Sequence, residues 1–362
     1  MKTALKVFLP IIAFFTILFL CFSALVWLIT YHPIRLEPVP VYSRSQAPIL
    51  QPGQSLKIMT WNLQYLAGKN YVFFYDLLDG SGPDERPSSK DIAVTLNEVA
   101  RVIIDENPDI ILLQEVDCGA RRSDYRDQLK DLLAKLPGEY RCYISAWYWK
   151  AAFVPHPRIM GAVGMKLAVI SKYKISRAVR HQLPVMPNDI FTRQFNFKRA
   201  ALEARLPASD GSEFVAMSTH LDAFAQGNNT MERQVAQVKN LLDSLSAQKQ
   251  GWAIGGDFNL LPPGDAYLRL GPRQQKYYQP QTELASFFDD YQAVPSAQEA
   301  NGDSAGYWFT HFPNDPGAKG PDRTIDFLFF SRRLLLGRHY VRQYDTGKIS
   351  DHYPVVAEVT LE

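Results

Sequence analysis

The chain has 362 residues, 46% hydrophobic and 21% charged, an ordinary balance for a folded protein with a sizeable core. Its formal net charge of +2 is uneven, because residues 1–50 hold Lys2, Lys6, Arg35 and Arg44 against Glu37, leaving 35 basic and 36 acidic residues beyond them. This excludes the global basic excess usual in nucleic-acid-binding domains, though not a local basic patch.

Val7 to Tyr31 carries no charge and is mostly Leu, Ile, Phe, Val and Ala. That is long enough to cross a bilayer, which takes roughly 20 apolar residues. A cleaved signal peptide has a shorter apolar region and a small-x-small site, and neither is seen. Leu18-Phe19-Leu20 before Cys21 lacks the small residue of a lipoprotein cleavage site. We therefore expect residues 1–31 to be a retained single-pass anchor that meets the membrane through residues 7–31. Lys2 and Lys6 would keep the N-terminus cytoplasmic and place the rest of the chain outside. Residues 32–54, rich in Pro, Ser and Gln, read as a linker, with the folded domain at 55–362.

Leu56 to Leu63 alternates as a strand and ends in Trp61-Asn62. A long connection follows, containing Tyr71-Val72-Phe73-Phe74-Tyr75, and it suits either core packing or a substrate-facing or membrane-facing lip. Ser88-x-x-Asp91 opens a helix, and Ile92, Leu96, Val99 and Ile103 form its buried stripe. Asp109 to Leu113 is a buried strand with Gln114-Glu115 at its end. A carboxylate in that position suits a hard divalent cation. Ser123 to Lys135 reads as a second helix and Tyr140 to Ala146 as a strand. A second aromatic loop, 147–153, follows.

Two strands are expected at 164–171 and 175–183, and a third at 197–206. Lys198 or Arg199 on that third strand is placed to meet a phosphate. Glu213 to Thr219 is a strand ending at His220, and Asn229 to Leu245 is a helix. Trp252 to Gly256 is a strand leading into Asp257-Phe258-Asn259. Side chains alternate along a strand, so Asp257 and Asn259 can aim at one point, with the two glycines allowing a tight turn and close ligand approach. Asp326 sits in the apolar run 324–330, where a carboxylate needs a partner. Asp351-His352 precedes the last strand. Cys118 and Cys142 can pair or stay free.

Each polar residue at a strand end is a weak signal alone. Together Asn62, Glu115, His220, Asp257, Asn259, Asp326, Asp351 and His352 supply metal ligands, acid–base groups and hydrogen-bond donors. That inventory suits metal-assisted hydrolysis of a phosphoester.

These motifs, from Trp61-Asn62 through Gln114-Glu115, Thr219-His220-Leu221, Gly256-Asp257-Phe258-Asn259 and Ile325-Asp326-Phe327 to Ser350-Asp351-His352-Tyr353-Pro354-Val355, resemble the endonuclease/exonuclease/phosphatase superfamily in content and order. The resemblance covers about residues 56–361. It implies an α+β fold, a four-layer α/β/β/α sandwich of two packed sheets flanked by helices, here behind one transmembrane helix. It implies that Glu115 binds magnesium (with manganese as the alternative), that Asn62 lies near the metal or phosphate, and that Asp351 assists there. His352 would act as base, oriented by Asp326. Asp257 would position or deprotonate water, and Asn259 and His220 would hold phosphate oxygens. Family members often place a tyrosine or arginine near the phosphate, for which Tyr148, His156 and Arg199 are candidates.

The anchor, the near-neutral domain and the aromatic loops favour a phosphodiesterase on a membrane lipid, similar to the neutral sphingomyelinases. The alternatives are a nuclease acting on DNA or RNA, a phosphomonoesterase, and a scaffold that has lost catalysis. No obligate protein partner is expected.

Overall fold

The computed structural model describes residues 2–77, 79–223 and 227–361. Helix α1 (Lys2–Ile29) is followed by two short strands, β1 (Leu36–Pro38) and β2 (Tyr42–Ser43). Then come β3 (Ser55–Asn62), α2 (Ser89–Glu106), β4 (Ile110–Asp117), α3 (Gln128–Leu133), β5 (Cys142–Val154), β6 (Gly161–Ser171) and β7 (Arg177–Gln182). The second half runs through α4 (Thr192–Phe195), β8 (Ala200–Pro207), β9 (Glu213–His220), α5 (Thr230–Ala247) and β10 (Gly251–Asp257). It closes with β11 (Gln292–Val294), β12 (Asp326–Phe330), β13 (Leu335–Val341) and β14 (Val355–Thr360).

The strands form two sheets, ordered β13-β14-β3-β4-β6-β5-β2 and β1-β7-β8-β9-β10-β12-β11. Each sheet has a parallel pair at its middle, β3 with β4 and β9 with β10. A parallel pair needs a crossover, and α2 and α5 supply the two. Alternation along the strands then builds the layers. Ile58, Ile110 and Leu112 of the first sheet face Ala204, Phe214, Ala216 and Leu328 of the second. Met59, Trp61, Ile111 and Leu113 point the other way, against Ile92, Leu96, Val99 and Ile103 of α2. Val215, Met217, Trp252 and Ile254 pack likewise on Val235, Val238 and Leu242 of α5. The result is the expected four-layer α/β/β/α sandwich. Ser88 caps α2 by accepting from the Asp91 backbone N–H, as the sequence suggested.

Three local expectations change. The stretch expected as a linker lies along the domain: β1 joins the edge of one sheet beside β7, β2 joins the other beside β5, and Leu50 is fully buried. Strands this short carry no periodicity to read. A cut that frees the domain from α1 therefore belongs before β1, not after Leu50. The aromatic stretch 147–153 is not a loop, because β5 runs on to Val154. The helix expected over 123–135 is confined to α3, with a 3-10 turn at Arg121–Ser123 before it. Cys118 and Cys142 are both free.

The paired glycines serve the sandwich and not a ligand. A Cβ on Gly255 would stand 2.9 Å from both Leu112 and Thr60 of the opposite sheet, and one on Gly256 would collide with the Thr219 carbonyl. Gly256→Ala is therefore expected to cost at least about 1–3 kcal/mol, the usual penalty of overpacking. Urea unfolding checks this, with Gly138→Ala, where a Cβ meets open space, as the neutral control.

Candidate active site

The carboxyl ends of the central strands converge, so their last residues share one end of the sandwich. The register sets Asp257 opposite His220 on one side and Asp326 on the other. Asn62 pairs with Gln114 across the parallel strands of the first sheet. His220 and Asp257 continue the strand positions that point into the gap between the sheets. At this end the gap opens into a cavity of about 520 Å³, lined by Glu115, Asp257, Asp351, His220, His352 and Asn259 among others.

Glu115 reaches this cavity because β4 bulges. Between Leu113 and Val116 the register with β6 shifts, and Glu115 takes a left-handed φ of 56°. Asn259 is similarly strained at φ 52°, as are Gln64 at 45° and Tyr65 at 41°. Strain of this kind persists where the surroundings over-determine it and clusters at functional sites.

Asp257 is the hub. Its Oδ2 accepts from the Asn62 amide at 3.1 Å, and it lies 3.3 Å from His220 Nε2 and 3.6 Å from His352 Nε2. Its Oδ1 accepts from the Asn259 backbone N–H at 2.9 Å. On the far side of His352, Nδ1 meets Asp326 Oδ2 at 2.8 Å. The His352 carbonyl accepts from Trp61 Nε1 at 2.9 Å, which fixes the loop before β14 against β3.

Electrostatics separates the two histidines. Burial, then Arg199 and His352, holds His220 well below the usual histidine range, so it is neutral. Burial also works against a proton on His352, but Asp326, Asp257 and Asp351 outweigh it and push the group up to about 10. His352 is thus an imidazolium across the neutral range. Burial raises Asp257 from the ordinary carboxylate range, with Asp326 adding to the rise against the pull of His352. A carboxylate poised upward thus lies beside the imidazolium of His352, the residue to which the sequence expectation gave the role of base.

Glu115 is 19% exposed, and its nearest ion-pair partner among the described residues is His220 Nδ1 at 3.9 Å. Burial and then the charge of Asp351 push its carboxyl up. Glu115 and Asp351 both line the cavity, and two hard carboxylates on one cavity fit a divalent cation. Asp351 also lies 4.0 Å from Nε2 of His311, which burial keeps neutral, while the protonated His352 beside them offers no lone pair. Asn62, expected near the metal, turns its amide to Asp257 instead, while its oxygen accepts from the Gln64 backbone N–H at 3.0 Å.

The candidates for phosphate contact divide. Arg199 lines the cavity; its Nε donates to Asp222 at 3.0 Å, and its Nη1 is buried without a partner. Lys198 does not face the cavity, since its ammonium donates to the Arg193 and Gln194 carbonyls. Tyr148 is fully buried behind His220, with its hydroxyl 3.4 Å from His220 Nδ1 and against Met165. His156 stacks on Phe74 outside the cavity wall. Of the first aromatic loop, Phe73 is core, while Phe74 and Tyr75 line the cavity.

Several wall residues escaped the sequence reading. His311 packs against His352, the rings tilted by 57° with 4.6 Å between centroids. Its Thr310-His311 pair repeats the Thr-His dipeptide that marked His220, and that was the available signal. Arg122 binds Asp117 through two bonds of 2.9 Å and lies 3.4 Å from the Tyr65 ring. Asp76 accepts from the Phe73 N–H at 2.8 Å and the Asn314 amide at 3.0 Å.

Burial, then Asp351, raises Asp76 from 3.8 to about 7. A raised carboxylate adds stability below its ordinary range and loses it as pH climbs through the folded value. With chelator present, the melting temperature should therefore fall between about pH 4 and pH 7, and Asp76→Asn should flatten part of that slope. Asp257, raised in the same direction, leaves a residual slope of the same sign. A melting series across this range checks it; an unchanged slope in Asp76→Asn would count against the assignment.

The sequence profile of the Endonuclease/Exonuclease/phosphatase family matches residues 59–352. Among solved structures, an endonuclease/exonuclease/phosphatase from Beutenbergia cavernae is similar at 20% identity and a TM-score of 0.59, covering 85% of this chain and 72% of that one. The human nocturnin catalytic domain with bound sulfate anion is similar at 17% identity and 0.52, covering 90% and 98%. TDP2 from Caenorhabditis elegans is similar at 16% and 0.50, covering 85% and 75%. At these identities the structures bear on the fold. No functionally curated protein matches the chain. With the profile running from β3 to the residue that ends the Asp-His motif, the chain belongs to the endonuclease/exonuclease/phosphatase family, whose members are metal-dependent phosphoester hydrolases.

Proposed function

We propose that this chain is a membrane-anchored, divalent-metal-dependent phosphodiesterase acting on a membrane phospholipid such as sphingomyelin. One observation carries the lipid reading. The polar floor of the cavity sits under walls of Tyr65, Phe74, Trp149, Ile159, Met186 and Phe197. The arginines on those walls each have their charge balanced by a carboxylate, Arg122 by Asp117, Arg199 by Asp222 and Arg323 by Asp322, with the Arg199 Nη1 left over as a donor. Nucleic-acid grooves depend on cations available to track phosphates. An apolar wall above a charged floor suits a headgroup ester with its acyl chains nearby.

Glu115 and Asp351 would hold magnesium or manganese, and the bound ion would polarise the phosphoryl oxygen. Asp257 takes the proton of the attacking water. Neutral His220 and the Asn62 amide hold its carboxylate in place. His352, kept charged by Asp326, would face the negative charge that develops on the phosphoryl oxygens, and the free Nη1 of Arg199 would add a donor there. Asn259 would hold a phosphate oxygen with the amide hydrogen left over from its bond to the Leu221 carbonyl. In this reading α1 spans the membrane with its N-terminus cytoplasmic and residues 55–362 outside.

A nuclease reading has one observation in its favour. Arg86, Arg121 and Arg158 line a small annex of about 80 Å³ that adjoins the cavity through Phe74, Tyr75 and Trp149. The test offers the full chain in detergent to sphingomyelin vesicles and to supercoiled DNA, with magnesium and with chelator. Chelator-sensitive release of phosphocholine is the expected result. Nicking of DNA without lipid hydrolysis would replace the lipid reading, and no reaction with any phosphoester would favour a scaffold.

A further inference from the structure

We infer that the segment Ile190–Phe195 and the β5–β6 turn form a lip seated in a phospholipid bilayer beside α1, so that the catalytic cavity opens at the headgroup layer. The inference rests on reading α1 as a membrane span and deepens the lipid reading of the site.

Helix α1 presents Phe8–Ile29 as an apolar stretch long enough to cross a membrane, almost none of it buried against the protein. The lip runs alongside it. The Phe191 ring lies 5.9 Å from Phe22 and 6.3 Å from Phe19 of α1, centroid to centroid. Those two residues precede Thr30 by eight and eleven positions. At about 1.5 Å per residue, Phe191 therefore sits ~12–16 Å back along the helix from its outer end. A tilted helix would shorten that depth toward the ~5–10 Å at which interfacial side chains bury. Either way, the contact is inside the lipid boundary if Phe8–Ile29 occupies the hydrocarbon.

The chemistry of the lip agrees. Ile190 is 73% exposed and Phe191, which touches α1, 38%; on the β5–β6 hairpin, joined to this segment through Phe195, Phe153 is 40% and Met160 51% exposed. Such surfaces on one face mark an interaction site. Asp189 beside them has its carboxylate occupied by the backbone N–H groups of Phe191 and Thr192.

Lip and helix cannot drift apart freely. Thr30 bridges to Ala151 of β5, and six residues later β1 enters the sheet beside β7. The lip is also fastened to the cavity wall. Trp149 Nε1 donates to the Phe195 carbonyl at 2.7 Å, and both side chains pack with Ala151, Val154 and Val163. Trp149, Ile159 and Phe197 then line the cavity. Phe191 thus touches the membrane helix, and through Phe195 and Trp149 its segment reaches the wall of the site.

The test places a fluorescent nitrobenzoxadiazole label at single cysteines in the full chain, with Cys21→Ser, Cys118→Ser and Cys142→Ala removing the native thiols. The labelled positions are Ile190→Cys, Phe15→Cys in α1, and Leu335→Cys on β13, the sheet edge farthest from β5. The chains are reconstituted in phosphatidylcholine vesicles with spin-labelled lipids as quenchers. The lip predicts lipid quenching at 190 and 15 and not at 335. Quenching at 15 with position 190 open to aqueous iodide, like 335, overturns the lip and keeps the anchor. No lipid quenching at 15 or 190 overturns both.

Activity separates the lip from the substrate. Ile190→Asp with Phe191→Asp should lower hydrolysis of vesicle sphingomyelin at least tenfold and leave hydrolysis of water-soluble bis(p-nitrophenyl) phosphate unchanged. An equal loss on both substrates assigns these residues a structural role and overturns the proposal. Lipid quenching at 190 in a chain that cleaves only the soluble diester keeps the lip and discards the lipid substrate.

Discussion

Glu115→Ala is expected to abolish chelator-sensitive hydrolysis, by about a thousandfold or more, while leaving the cation-free protein at least as stable as the parent. The loss follows from the several kcal/mol of charge stabilisation that a bound divalent ion supplies, each ~1.4 kcal/mol being a factor of ten. The stability follows from the site itself. Glu115 is a half-buried carboxylate raised by desolvation and by Asp351, so its ionised form disfavours the cation-free fold. Glu115→Gln keeps the shape and removes the charge. Both variants should lose the melting-temperature gain that magnesium gives the parent. Full activity in either variant, or an intact magnesium-induced shift, would remove Glu115 from the metal site.

The second large effect concerns the proton. Asp257→Asn should lower kcat by roughly 10²–10⁴, the usual contribution of a positioned general base. The amide keeps the size of the carboxylate and its place next to His220 and Asn62, so the fold should hold. The parent rate should rise with pH as Asp257 loses its proton, because the group is raised from the ordinary carboxylate range. The Asn variant should lose that limb. His352→Gln removes the imidazolium that Asp326 stabilises and should also lower kcat, but it should leave the acidic limb in place. If the limb vanishes in His352→Gln and survives in Asp257→Asn, the base is His352, as the sequence motifs first suggested.

Both predictions concern residues that the sequence exposes for a simple physical reason. An apolar alternating run that ends in an acid, amide or histidine has no packing explanation for its last residue. Asn62, His220 and Asp257 are of this kind, and the inter-sheet alternation brings them to one end of the sandwich. Glu115 was visible as a residue and not as a geometry, since only the bulge in β4 turns it into the cavity. Lys198 and Tyr148 show the opposite failure. A charge or aromatic ring on a strand cannot be assigned to cavity or core until the partner sheet is in place, and Lys198 turns back to bind carbonyls. Asp76 and Arg122 come from connections without periodicity, so no pattern announced them, and His311 was marked by its Thr-His dipeptide alone. The edge strands β1 and β2 were hidden because two or three residues cannot show alternation.

One long-range feature bears on how the protein is made. β14 lies between β13 and β3, and the Trp61 indole reaches the His352 carbonyl across 291 positions of sequence. A strand translated early must therefore wait for one of the last. At synthesis rates of roughly 5–20 residues per second, that interval is about 15–60 s. Through it, β3 carries an unpaired edge and the basin around Asp257 lacks its imidazolium. Until β14 arrives, a nascent chain is open to mispairing at β3 and lacks the histidine beside Asp257. Pairing of β14 with β3 and assembly of the basin thus become a single event.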